Sequence, residues 1–116
     1  MDTDTWRAVL IAALVANALI GIGYHTFRLT RGGPMADVIG RTALGVVLIG
    51  LAVAVGLEAG WARWGALAYG LLFGLAAMPV WVLGVLIPME PGKIDYAFTA
   101  AYWSCALLVI VAALAL

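Results

Sequence analysis

The stretch WGALAYGLLFGLAAMPVWVLGVLI, residues 64–87, contains no charged side chain. As a helix rising 1.5 Å per residue it would extend about 36 Å, enough to cross the roughly 30 Å hydrocarbon layer of a bilayer. Arg63 precedes it directly and Glu90 follows shortly after, so charge sets its limits on both sides.

The same pattern repeats on either side. Uncharged stretches at 8–27, 42–57 and 96–116 alternate with charge clusters at 2–7, 28–41, 58–63 and 90–95. Of the 116 residues 66% are hydrophobic and 10% charged, against about 25% charged in soluble domains. A chain of this composition lacks the polar surface to cover itself in water. The sequence therefore predicts an all-α integral membrane protein, a four-helix transmembrane bundle with short loops, forming one domain over residues 1–116. The predicted helices cover about 6–27, 37–57, 62–87 and 95–116. The second reaches spanning length only if it starts near Asp37, with the Arg41 head extended to the interface and its stem in the apolar layer. Asp37 and Arg41 stand four apart with the acid first, a spacing that supports a helix there.

Breakers mark the loops. Arg31-Gly32-Gly33-Pro34 ends the first helix, Glu58-Ala59-Gly60 forms a tight turn that makes helices two and three antiparallel neighbours, and Pro88 to Lys93 forms the third loop. Ala16-Asn17-Ala18 looks like a small-x-small cleavage pattern. The preceding segment is acidic and the apolar run continues beyond it, so a retained helix is expected. Loops one and three carry Arg28, Arg31, Arg41 and Lys93, against Arg7 and Arg63 on the opposite side. The positive-inside rule then places both termini outside and loops one and three in the cytoplasm. Trp6, Tyr24, Phe27, Trp61, Trp64, Tyr96 and Phe98 fall near helix ends, where amphipathic rings favour the headgroup region.

Zero formal net charge gives no basis for nucleic-acid binding. The single cysteine, Cys105, lies within the fourth apolar stretch and is expected to pack as a small apolar residue. Paired carboxylates, metal-ligand spacing and phosphate-binding glycine loops are missing from the sequence, so no enzyme activity, cofactor or metal is expected.

Candidate functional residues fall into three groups. Ala62, Ala66, Gly70 and Gly74 recur every four residues, the pattern that lets membrane helices approach closely. Packing within the chain is the first expectation for this face, and a seam between chains the second. Asn17, Pro79 and Trp81 could line a pathway or pocket. Asn17 should seek a partner on another helix, and Pro79 removes the donor that the Leu75 carbonyl would normally use. Arg28, Arg31, Arg41 and Lys93 form a cytoplasmic rim suited to anionic headgroups. His25, the only histidine, is expected at the interface against headgroups; as a haem ligand it would need a second histidine from another chain.

In size and helix number the chain resembles the small multidrug-resistance transporters. Helix one lacks the embedded glutamate on which that family relies. The glycine-rich, arginine-bearing opening and paired phenylalanines of the small fluoride channels are missing too. The expected role is an accessory or scaffold subunit in the lipid bilayer, packed against a membrane-protein partner or another copy of itself. The alternative is a homo-oligomeric transporter or channel for a small solute or ion.

Overall fold

A computed structural model describes residues 2–116. It is all-α, with four helices long and apolar enough to cross a membrane: α1 Thr3–Thr30, α2 Met35–Gly56, α3 Ala62–Leu86 and α4 Lys93–Ala115. Local chemistry explains their ends. The Asp2 carboxylate accepts the Thr5 backbone N–H at 2.8 Å and the Thr5 hydroxyl at 2.7 Å, capping α1. This cap starts the helix ahead of the apolar run, at Thr3 where the sequence alone suggested Trp6. Gly32, at φ +86°, turns the chain out of α1. The next residue must also be glycine, since a Cβ on Gly33 would lie 2.8 Å from the Arg28 carbonyl oxygen. Glu58 takes a left-handed φ of 62° in the second turn. The Asp95 carboxylate accepts the Gly92 N–H at 2.8 Å to begin α4.

α1 is the central element and packs along both α2 and α4, while α3 packs on α4. The short turn holds α2 and α3 together mainly along Ala62–Leu72. Beyond that they separate, so they are neighbours for only part of their length, a departure from the sequence expectation. Leu10, Leu14, Leu48, Ala66 and Val109 fill the core at the terminal end. Toward loops one and three the core changes to Tyr24, Met78, Phe98 and Tyr102, with Trp81 and Trp103 against it.

Two π-helical segments, Phe73–Ala77 and Val82–Leu86, bracket Pro79 within α3. In the first, the Met78 N–H donates to the Phe73 carbonyl, five residues back. In that register the next donor would be Pro79, which has no N–H, and its acceptor would be the Gly74 carbonyl. The Trp103 indole N–H donates to this oxygen at 2.7 Å. The sequence pointed to Leu75 as the carbonyl needing outside help. The shift to π register transfers that need to Gly74.

Candidate functional site: a cationic recess between α1, α2 and α3

Where α2 and α3 part, an open recess of about 580 Å³ forms, with His25, Arg28, Asp37, Arg41, Phe73 and Trp81 on its wall. Each element contributes through its periodicity. On α1, Asn17, Gly21, His25 and Arg28 fall three or four residues apart and so share one face. On α2, Asp37 with Arg41 and Gly40 with Leu44 each stand four apart, and they line the opposite wall. Phe73, Trp81 and Val85 of α3 close the third side.

His25 is only 3% exposed. Its ring packs near-perpendicular to Tyr24, Phe98 and Trp81, at centroid distances of 5.2, 5.8 and 6.0 Å. Neither ring nitrogen has a hydrogen-bond partner among the described residues. The interfacial, headgroup-facing position expected for His25 is thus corrected. The polar face of α1 turns inward, and the aromatic cluster encloses the imidazole.

Arg41 departs from its expectation in the same direction. Its guanidinium lies over the rings of Tyr102 and Phe73, 5.2 and 5.8 Å from their centroids, within cation–π range. A Cβ on Gly21 would stand 3.3 Å from Tyr102 Cε2, so that glycine lets the Tyr102 ring beneath Arg41 pack closely on α1. Arg41 Nη1 is buried without a partner. Ion pairs among the described residues are those of Arg7 with Asp4 at 3.0 Å and Glu58 at 3.4 Å, so Asp37 and Arg41, four apart on α2, form none. Instead of extending to an interface, Arg41 is held inward by two aromatic faces.

A hydrogen-bonded chain runs behind Arg41. The Tyr102 and Tyr69 hydroxyls are 2.6 Å apart, and the Asn17 amide donates to the Tyr69 hydroxyl at 2.9 Å. Asn17 and Tyr102 are at most 1% exposed. Asn17 therefore finds its partner on another helix, and its Oδ1 remains unpartnered.

The other sequence candidates separate. Trp81 lines the recess, and its indole N–H donates to the Thr99 hydroxyl at 3.2 Å. Pro79 lies between the π segments and off the recess wall. Arg28 borders the recess with its guanidinium 5.4 Å from the Trp81 ring centroid. It also borders a groove of about 900 Å³ between loops one and three, together with Arg31, Lys93, Glu90 and Asp95. There the Tyr24 hydroxyl donates to the Asp95 carboxylate. The four rim cations thus serve two sites rather than one. Ala62 and Ala66 are fully buried, and Gly70 and Gly74 face Val109, Ile110 and Leu107 of α4. That small-residue face is consumed within the chain.

Sequence reasoning missed Tyr69, Tyr102 and Trp103 as polar partners and gave His25 the wrong surroundings. The four-residue steps Asn17, Gly21 and His25 were the available signal, a polar and small stripe on an otherwise apolar helix. Comparison with protein-family models, curated proteins and solved structures finds no match to this chain. The geometry of the recess therefore carries the functional reading.

Proposed function

We propose that the chain is a multi-pass integral membrane protein that binds a small solute in the recess between α1, α2 and α3, as the binding element of a small transporter. The observation that carries this reading is a 580 Å³ recess whose wall brings Arg28, Arg41 and Asp37 together with the rings of His25, Phe73 and Trp81. The wall holds cations, one carboxylate and aromatic rings, with no hydroxyl or thiol nucleophile among the described lining residues. This composition favours binding over catalysis.

Membrane placement is supported by four long apolar helices and by an outer surface that exposes Val46, Val47, Leu72, Leu75, Val80 and Leu83. The cation asymmetry between the two ends supports termini outside and the recess at the cytoplasmic end.

The test places a cysteine on the recess wall at Gly40, where a Cβ meets nothing within 4 Å. In a Cys105→Ala background, Gly40→Cys in nanodiscs should react with a charged, water-soluble maleimide, detected as one adduct by intact mass. Adding Leu44→Trp, which fills the neighbouring wall, should protect it. Reaction only after unfolding in SDS would refute the reading.

The accessory or scaffold reading retains one surface. On α2 a side chain at Gly50 would meet nothing within 4 Å, and Val46, Val47 and Val53 are exposed around it. A second polypeptide recovered with the native protein, and lost on Gly50→Leu, would favour that reading.

A further inference from the structure

Building on the recess as a binding site, we infer that its occupant is a small organic anion, a carboxylate or phosphate head on an apolar or aromatic body. The charge on the wall is unbalanced. Arg28 and Arg41 face one carboxylate, Asp37, and neither arginine makes an ion pair. The Arg41 guanidinium lies over two aromatic faces with no carboxylate within ion-pair distance, and the planar fork of arginine suits carboxylate and phosphate geometry. Arg28 adds its guanidinium from the α1 side, so the head would be held between two helices. A cation would meet two guanidiniums, and a neutral molecule would leave the Arg41 donors without a counter-charge.

The rest of the wall specifies the body. Phe73, Trp81, Leu44 and Val85 offer apolar and aromatic contact, and the volume falls in the usual small-molecule range. An inorganic anion would satisfy the donors but leave those faces unused. The same chemistry could arrive from water as a dissolved organic acid or from the bilayer as a single-chain amphiphile.

Histidine-selective ¹⁵N labelling reports on His25 alone. Protein in zwitterionic nanodiscs is titrated with sodium benzoate, sodium laurate, inorganic phosphate and benzyl alcohol. The expected result is a saturable shift of the imidazole signals with benzoate, laurate or both, and none with benzyl alcohol. Laurate acting alone identifies the bilayer as the source, and benzoate acting as well identifies a dissolved organic acid. Arg41→Gln should weaken binding roughly tenfold or more, the weight of one hydrogen bond to a charged group. Asp37→Asn, an exposed rim change with little risk to folding, should tighten it. The inference is overturned by no shift with either organic anion, by equal shifts with benzyl alcohol, by phosphate binding as tightly as benzoate and laurate, or by unchanged affinity in both variants. Should the Gly40→Cys variant react with the maleimide while neither organic anion binds, this inference fails and the recess reading stands. A Gly40→Cys variant sealed from the reagent removes both.

Discussion

The indole N–H of Trp103 on α4 donates to the backbone carbonyl of Gly74 on α3 at 2.7 Å. This bond repairs the backbone where Pro79 and the π register leave an acceptor without a helical donor. It also holds α3 against α4 below the point where α3 leaves α2. Trp103→Phe keeps an aromatic ring, smaller than the indole, and removes the donor, so stability in mild detergent should fall by at least about 1–3 kcal/mol. Reversible unfolding monitored by circular dichroism measures this. A midpoint equal to wild type would show that the bond is not needed.

The three glycines 70, 74 and 50 should rank in a fixed order when changed to alanine. At Gly70 a Cβ meets Ile110 Cγ1 at 2.8 Å and the Ile110 backbone nitrogen at 3.2 Å, so α4 itself must shift. At Gly74 the contacts are side-chain ends of Leu107 and Ile110 at 3.3 and 3.4 Å. At Gly50 nothing lies within 4 Å. Gly70→Ala should cost about 1–3 kcal/mol, Gly74→Ala less, and Gly50→Ala should be neutral or stabilising by up to about 1 kcal/mol. Thermal stability of the three variants in one detergent decides it. The reverse order would mean that the α3 face is not used within the chain.

Asn17 and Tyr69 should act as a unit. Asn17→Leu removes one bond, at about 0.6–2 kcal/mol, while Tyr69→Phe unpairs Asn17 and Tyr102 together. The double variant should then cost less than the sum of the singles, a coupling accessible to a double-mutant cycle. Strict additivity would contradict the chain of hydrogen bonds.

Arg41→Leu should raise stability by about 1 kcal/mol while abolishing anion binding, the trade expected where a functional charge is kept without a partner. Unfolding without added ligand measures the first effect. Loss of stability would show that the guanidinium is already well satisfied by Phe73 and Tyr102.

At the start of α1 a pH dependence should appear. Bonds from Thr5 hold the Asp2 carboxyl below its usual range. A depressed folded-state pKa means the cap is intact above the ordinary carboxylate pKa and is lost as pH falls through the lowered value. Amide exchange at Thr5, corrected for intrinsic rates, should lose protection over that acidic interval, and Asp2→Ala should remove the effect.

Much of the fold was legible because its causes are local. Stretches free of charge set the four helices, and Gly32-Gly33-Pro34, Glu58 and the prolines near Gly92 set the breaks. The cap at Asp2 was equally local, and attention to it would have placed the start of α1 correctly. What each helix presents to its neighbours was not legible. α4 is almost equally apolar on every side, so its pattern does not reveal which residues face inward. Likewise the step from Ala62 to Gly74 fits a contact with any helix, and only the packing of α3 on α4 assigns it.

The same division applies to the site. Sequence alone determined that His25, Arg28 and Arg41 lie near one end of the helices, because position along a helix follows from counting residues at a fixed rise. Only the tertiary structure decided that His25 and Arg41 turn inward and that Tyr102, Tyr69 and Asn17 join behind them. The direction of a side chain depends on how its helix is rotated against its neighbours. That rotation is set by long-range packing, here by the close approach of Tyr102 to Gly21 and by the separation of α2 from α3.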